Sequence, residues 1–313
     1  MRDVFTLEDL RRWPETAAHE TPPVRLAVIG DPVAHSASPP MHNAALEACG
    51  IDARYTRLHI RAEELAEAFT LLPKHGFIGV NCTIPHKTEA LRLVHRVDEH
   101  AQRVGVVNTI LVEGQQLAGF NTDGPGLVRA VRAEFGIDLR DLRVLVLGAG
   151  GGAGRAIAMQ CALEGCERLV LVNRTIDKAR ALAAELAPMF RTARVSGPGE
   201  RLEVAAWDDA SLRLQLAQSD LVINCTAVGM KRGDPSPLTS AVLQPHLLVY
   251  DTIYTAVRTK LMLAADDAGA RSANGLSMLL HQGALAFEIW FDRPAPLEKM
   301  RAALHAHTGG NAG

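Results

Sequence analysis

Residues 143–155 read RVLVLGAGGGAGR, an apolar run of strand length that leads into a glycine-rich turn and then an apolar segment. This context fits the Gly-x-Gly-x-x-Gly/Ala fingerprint of dinucleotide-binding folds, with Gly148, Gly150 and Ala153 in register. Glycine permits the tight turn and lets a pyrophosphate approach the backbone, and the helix that follows offers free N–H groups to an anion. The alternative is a glycine-rich turn that binds no ligand.

The next predicted strand, 168–173, ends at Asn173, where an NAD-selective site would carry an acidic residue for the ribose 2′-hydroxyl. Here Arg174 can pair with a 2′-phosphate, Thr175 can donate a hydrogen bond, and Lys178 follows one turn later. Each of the three could instead be a solvated surface residue. Together they favour NADP as the cofactor.

Outside this motif, strand-length apolar runs alternate with helix-length segments along most of the 313 residues. Such alternation predicts the α/β class with parallel sheets, and the length predicts two domains. We expect an N-terminal α/β substrate domain and a Rossmann-type doubly wound NADP-binding domain. The predicted boundaries are 1–23 for an N-terminal extension or flexible arm, 24–122 with C-terminal helices in 275–313 for the substrate-binding and catalytic domain, and 123–274 for the NADP-binding domain. The predicted strands are 24–29, 54–60, 77–84, 106–112, 143–148, 168–173, 202–207, 220–225 and 246–251.

Composition excludes several classes of partner. The 33 Lys and Arg residues nearly balance 35 Asp and Glu residues, so nucleic acid is not an expected partner. No apolar run is long enough for a membrane span and no secretory signal is evident, which predicts a cytoplasmic location. The five scattered cysteines fit reduced core residues, and we expect no metal site. The oligomeric state stays open, with a homodimer as one option.

A serine-containing segment follows the first predicted strand. Ser38 with Pro39 behind it can start a helix as N-cap and N1, and Ser36 is then not needed for capping. Two hydroxyl groups beside a helix N-terminus form a neutral anion site that suits a small carboxylate. We favour this functional interpretation over capping alone.

The third predicted strand closes with polar residues. Asn81 and Thr83 share one face, and Lys87 then opens a predicted helix, where the helix dipole repels a cation. Such a placement is typical of a catalytic acid or base, although an exposed lysine can also tolerate it. Asp123 begins the segment that leads into the second domain. We expect its carboxylate to pair with Lys87 across the cleft, with both beside one substrate hydroxyl.

Taken in order along residues 25–290, these segments resemble the shikimate dehydrogenase family. The matching segments are the one with Ser36 and Ser38, Asn81-x-Thr83-x-Pro85-x-Lys87, Gly105-Val-Val-Asn108-Thr109, Asn121-Thr-Asp123-Gly124, the glycine loop, Asn173-Arg174-Thr175, Tyr250-Asp251, and Gly275-Leu-Ser-Met278 through Gln282-Gly283. The glycine loop has one residue more before its arginine than is usual in the family, and Lys178 stands where an arginine is common.

The resemblance implies reversible reduction of 3-dehydroshikimate to shikimate with NADPH, in the pathway to chorismate and the aromatic amino acids. It implies that Lys87 and Asp123 are the catalytic pair and that Ser36 and Ser38 hold the substrate carboxylate. It also implies ring-hydroxyl contacts from Asn81, Thr83, Asn108, Asp123 and Gln282, with Tyr254 near the carboxylate. The resemblance also implies that residues 151–155, including Gly151, Gly152 and Ala153, bind NADP together with Asn173, Arg174 and Thr175, and that Gly275 and Met278 approach the nicotinamide. The motif itself makes Gly148, Gly150 and Lys178 further cofactor candidates.

Three other functions stay open at this point. A quinate or dual quinate/shikimate dehydrogenase would use the same catalytic pair, although the small Ser38 and the cation Arg174 favour shikimate and NADP. A non-catalytic NADP-responsive protein could keep the fold, but Lys87 and Asp123 are both retained here. A glutamyl-tRNA reductase or a methylenetetrahydrofolate dehydrogenase would not need the paired serines.

Overall fold

The structure, a computed structural model, describes residues 2–17, 19–191, 200–231, 233–254 and 258–309. The chain divides into two compact units: Met1–Gly126 with Leu279–Gly313, and Leu127–Met278.

The first unit contains a mixed seven-stranded sheet with helices. Its strands are β1 (Val4–Thr6), β2 (Val24–Gly30), β3 (Arg54–His59), β4 (Gly79–Cys82), β5 (Arg96–Val97), β6 (Thr109–Glu113) and β7 (Gln116–Phe120). Its helices before residue 122 are α1 (Leu7–Arg11), α2 (Trp13–Thr16), α3 (Ser38–Ala48), α4 (Leu65–Lys74), α5 (Lys87–Leu93) and α6 (Glu99–Val104). The strand order is β1-β3-β2-β4-β6-β7-β5, with β1 to β4 parallel and β6 antiparallel to both its neighbours.

The leader is an extension that adds a strand to this sheet, so of the two alternatives the flexible arm is wrong for its described residues. Strand β1 pairs with the edge of β3, and Phe5, Leu10 and Trp13 are buried in the core of the unit. The Trp13 ring lies 5.2 Å from that of Phe77. Apolar burial of this extent holds the leader in place, because each buried aromatic side chain contributes about 2–3 kcal/mol.

The second unit contains six parallel strands. Its strands are β8 (Arg143–Leu147), β9 (Arg168–Val172), β10 (Leu202–Ala205), β11 (Leu221–Asn224), β12 (Leu248–Asp251) and β13 (Arg271–Asn274), with helices α8 (Gly152–Glu164), α9 (Ile176–Leu186), α10 (Asp209–Leu216) and α11 (Lys260–Asp267). The order β10-β9-β8-β11-β12-β13 becomes 3-2-1-4-5-6 when this unit is numbered by itself, which is the doubly wound dinucleotide-binding order. The predicted Rossmann-type domain is confirmed.

Two helices run from one unit into the other along the chain. Helix α7 (Asp123–Phe135) starts in the first unit and ends in the second, and α12 (Leu276–Phe291) runs in the reverse sense before α13 (Leu297–Gly309). The predicted boundaries after residues 122 and 274 therefore fall at helix starts, whereas the observed division falls inside the first turn of each helix.

Every predicted strand is present, shortened at some ends; β1, β5, β7 and β13 were not predicted. All five cysteines are free, as expected. Within the described ranges, no helix has the length and apolar character that a membrane crossing requires.

Candidate functional site

The predicted Lys87–Asp123 pair is present. Lys87 is the first residue of α5 and Asp123 the first of α7, and Lys87 Nζ donates to Asp123 Oδ2 at 2.6 Å. The carboxylate offsets the repulsion between the ammonium group and the start of α5. The lysine side chain is 32% exposed and the aspartate 15%, so the ammonium keeps N–H donors that a ligand can reach. Both residues belong to the first unit, so the pair lies within one unit rather than across two domains.

A network of buried amides and hydroxyls fixes the start of α7. Asn108 Oδ1 accepts the N–H of Thr122 at 2.8 Å, and Asn108 Nδ2 donates to Thr122 Oγ1 at 3.0 Å. Asn121 Oδ1 accepts the N–H of Gly124 at 3.2 Å. Asp123 lies between these anchored residues, so its carboxylate is held at a defined position beside Lys87.

Asn81 lies in the same buried layer. Its Oδ1 accepts a hydrogen bond from the Tyr55 hydroxyl at 2.8 Å, and its Nδ2 donates to Thr109 Oγ1 at 3.0 Å. Burial raises the pKa of Tyr55 well above its usual value, so this hydroxyl stays a donor. Sequence reasoning missed Tyr55, because a tyrosine in a predicted strand can equally well be a core residue.

The serine segment differs from the prediction. Helix α3 begins at Ser38 with Ala37 as its N-cap, and no side chain caps it. The Ser36 hydroxyl accepts the N–H of Ser38 at 3.3 Å, so Ser36 does satisfy a backbone group at the helix start. The alternative interpretation of Ser38 as the N-cap is therefore off by one residue, because Ala37 occupies that position. Both hydroxyl groups still lie at the N-terminus of α3.

Thr83 and Gln282 are placed by close contacts with glycines. A Cβ atom at Gly30 would lie 2.4 Å from the Thr83 methyl group, and one at Gly126 would lie 2.8 Å from the backbone nitrogen of Gln282. Gly126 is in the first turn of α7, so Gln282 packs against the same helix start that carries Asp123. The first unit thus brings together a cation, a carboxylate and several neutral polar groups, which suits proton transfer to a polyhydroxylated anion.

The glycine loop of the second unit follows β8, at the point where the strand order reverses. Gly148 has a φ of +79°, which favours glycine. A Cβ at Gly154 would lie 2.1 Å from the carbonyl oxygen of Gly148, whereas Ala153 is exposed. Assigning Ala153 to the third fingerprint position is therefore wrong: Gly154 is the residue that packs helix against loop, because the loop has one extra residue. Nothing lies within 4 Å of a Cβ built at Gly152, which leaves space for a ligand.

Asn173 ties this loop to the end of β9. Its Oδ1 accepts the N–H of Gly150 at 3.2 Å, and its Nδ2 donates to the Thr175 carbonyl at 2.8 Å. Arg174, Thr175 and Lys178 are exposed, and neither cation forms an ion pair with any residue that the structure describes. The backbone N–H groups of the first turn of α8, a doubly wound sheet and two free cations fit a dinucleotide with a 2′-phosphate.

The remaining predicted residues also belong to the second unit or its border. Gly275 donates its N–H to the Ile253 carbonyl at 3.1 Å, and a Cβ there would meet the Thr252 oxygen at 2.2 Å. Met278 donates its N–H to the Tyr250 hydroxyl at 3.1 Å. Tyr254 is exposed at 39%. Across the described ranges, no group of three or more His, Cys, Asp or Glu side chains is arranged to hold a metal.

Family models match three parts of the chain. They describe a shikimate dehydrogenase substrate-binding domain at residues 28–110, a shikimate/quinate 5-dehydrogenase at 129–231 and a shikimate 5′-dehydrogenase C-terminal domain at 275–305. The NADP(+) shikimate dehydrogenase of Symbiobacterium thermophilum is 42% identical over 280 residues, which cover 89% of this chain and 92% of that protein.

The chain belongs to the shikimate dehydrogenase family. A second family member, the NADP(+) shikimate dehydrogenase of Methanopyrus kandleri, is 38% identical and covers 90% of this chain and 95% of its own. The solved shikimate 5-dehydrogenase of Thermus thermophilus, in complex with NADP(H) and shikimate, is 36% identical with a TM-score of 0.78. That structure covers 90% of this chain and 99% of its own. Family, fold class and oxidoreductase class agree with the sequence expectation.

Proposed function

We propose that the protein is an NADP-dependent shikimate dehydrogenase that reversibly reduces 3-dehydroshikimate to shikimate, a step on the way to chorismate and the aromatic amino acids. The observation that carries the proposal is the 2.6 Å pair between Lys87 and Asp123 in a chain of this family. The identity to curated relatives, 42% and 38% over most of the chain, supports the same substrate and cofactor.

In this proposal the first unit binds the substrate. Ser36 and Ser38 hold its carboxylate at the start of α3. Lys87 donates a proton from Nζ to the oxygen of the reduced carbonyl, and Asp123 holds the ammonium group in position. In the reverse direction neutral Lys87 accepts that proton. The ring hydroxyls bind Asn81, Thr83, Asn108, Asp123 and Gln282.

The second unit binds the cofactor in the same proposal, and NADPH supplies the hydride when it is bound. The loop Gly148–Ala153 and Asn173 hold the pyrophosphate and adenosine part, while Arg174, Thr175 and Lys178 take the 2′-phosphate. Gly275 and Met278 approach the nicotinamide. Cytoplasmic location and a homodimer are part of the proposal; the five free cysteines support the former, and light scattering of the purified chain tests the latter.

Initial rates of nicotinamide reduction test the proposal directly. Shikimate and quinate are each paired with NADP+ and with NAD+, using the purified full chain. We expect turnover with shikimate and NADP+ to exceed the other three pairs by far. Comparable rates with quinate or NAD+ would instead indicate a dual-specificity enzyme, and NADP+ binding without any turnover would indicate a non-catalytic protein.

A further inference from the structure

An ion pair joins the two helices that flank the glycine loop. Arg155, in the first turn of α8, donates from Nη1 and Nη2 to the two carboxylate oxygens of Glu185, near the end of α9, at 2.7 and 2.6 Å. The side chains are 40% and 42% exposed. This is the two-bond fork that guanidinium groups form with carboxylates and equally with phosphates.

Both residues line a cavity of about 220 Å³ in the second unit. Its charged groups are two cations and one carboxylate. Lys178 has no ion-pair partner among the described residues, whereas the guanidinium of Arg155 is engaged by Glu185. The lining residues are Ala149, Gly150, Arg155, Lys178, Ala181, Leu182 and Glu185.

The cavity directly adjoins the proposed pyrophosphate site. A Cβ built at Gly150 would lie 2.6 Å from Cβ of Lys178 and 2.9 Å from Nδ2 of Asn173, so loop and α9 are in contact there. Lys178 and Arg155 line the same cavity, so a 2′-phosphate that binds Lys178 inside this cavity can also meet the guanidinium group of Arg155. Lys178 can offer the phosphate a point charge but no two-bond fork, whereas Arg155 can offer both.

We propose that Arg155 is a specificity-determining residue that exchanges the Glu185 carboxylate for the cofactor's 2′-phosphate. Glu185 acts as an internal competitor: it holds the guanidinium at the cavity wall and opposes the entry of an anion. This inference rests on the proposed NADP dependence. Position 178 carries a lysine, which cannot form a two-bond contact with the 2′-phosphate. The proposal assigns that contact to Arg155 on α8.

Calorimetric titration of the full chain tests the exchange without relying on turnover. The ligands are NADP+, NAD+, 2′,5′-ADP and 5′-AMP, and the proteins are the parent chain, Arg155→Gln, Arg155→Lys and Glu185→Gln. Asp266→Asn is the matched control, because its 2.6 Å pair with Arg258 is 48% exposed on both sides and lies outside the cavity. It removes the same charge as Glu185→Gln.

Arg155→Gln should raise the Kd of NADP+ and 2′,5′-ADP by about tenfold or more, with NAD+ and 5′-AMP within about twofold. Arg155→Lys should fall between Arg155→Gln and the parent chain. Glu185→Gln should lower the Kd of the two 2′-phosphorylated ligands by about fivefold, because the competing carboxylate is gone. Asp266→Asn should leave all four values unchanged.

Two results would overturn the exchange. If Arg155→Gln weakens all four ligands equally, Arg155 only supports the loop; if Glu185→Gln weakens NADP+, Glu185 positions Arg155 rather than competing for it. The proposed exchange at Arg155 can be rejected while the proposed function stands. A parent chain that turns over shikimate with NADP+ while Arg155→Gln binds NADP+ normally would reject the exchange alone.

Discussion

The candidate amides of the first unit are buried and bond to neighbouring side chains, whereas the candidate groups of the second unit are mainly backbone groups and exposed cations. Asn81 and Asn108 are almost inaccessible and bond to Tyr55, Thr109 and Thr122. Arg174 and Lys178 are exposed and form no ion pair with a described residue. The amide side chains of the first region are held in position before a ligand binds, whereas the two cations of the second region are available to bind an anion.

Substitutions in the two regions should therefore have different effects. A polar group removed from a buried network leaves its partner unsatisfied, so both stability and chemistry suffer. A cation removed from an exposed site costs only the contact with its ligand, and salt screens that contact. The first region should therefore control rate, and the second should control choice of cofactor.

The largest effect expected is that of Lys87→Ala. It removes the proposed proton donor, so kcat should fall by about 10²–10⁴-fold while KM for shikimate changes little. Steady-state kinetics with saturating NADP+ measure both values. Lys74→Ala, at the exposed end of α4, is the control, and its kcat and KM should equal those of the parent chain. A large rise in KM with kcat intact would make Lys87 a binding residue.

Arg174→Ala should act on the cofactor alone. Loss of a charge-assisted contact costs about 1.5–3 kcal/mol, so the Kd of NADP+ should rise by at least about tenfold while that of NAD+ stays constant. Titrations at two salt concentrations measure this, and the difference should shrink at high salt. Arg180→Ala, on helix α9 that follows Arg174, is the control. Equal weakening of both nucleotides would contradict the division between the two regions.

Gly154→Ala tests how closely helix α8 packs on the glycine loop in the second region. The added methyl group meets the Gly148 carbonyl oxygen, and overpacking of this kind costs about 1–3 kcal/mol. We expect a lower Tm and weaker NADP+ binding. Gly152→Ala, in the same helix but with open space around it, should keep the parental Tm. A normal Tm for Gly154→Ala would return the third fingerprint position to Ala153.

Tyr55→Phe tests the buried hydrogen-bond network of the first unit. It leaves Asn81 Oδ1 buried without its donor, which costs about 1–3 kcal/mol of unfolding free energy. Urea denaturation measures this loss, and NADP+ binding should be unchanged because Tyr55 lies in the first unit. An unaltered unfolding free energy would show that the amide finds another donor.

Sequence reasoning located the groups whose position follows from element ends. Lys87 opens a helix behind a predicted strand, and that register is readable from the apolar pattern. The glycine loop is readable for the same reason. The strand before Asp123, β7, was not predicted, so Asp123 was found as a polar residue at the start of the segment that leads into the second domain. The predictions that failed depended on tertiary contacts. Strand β1 spans only three residues, too few to show a two-residue period. The assignment of the third fingerprint position to Gly154 rather than Ala153 rests on its contact with one carbonyl oxygen. Tyr55 contacts a residue far away in the sequence, so no local pattern marks it.

The proposed chemistry depends most on Lys87 and Asp123 acting as one unit, and a double-mutant cycle on kcat measures this. Lys87→Ala, Asp123→Asn and the double variant are compared with the parent chain, with NADP+ binding as the check on folding. If the two residues act as a unit, removing either one already abolishes their joint contribution to kcat. The kcat of the double variant should therefore be within about threefold of that of Lys87→Ala. Losses that multiply would show two independent contributions and would contradict the proposed pair.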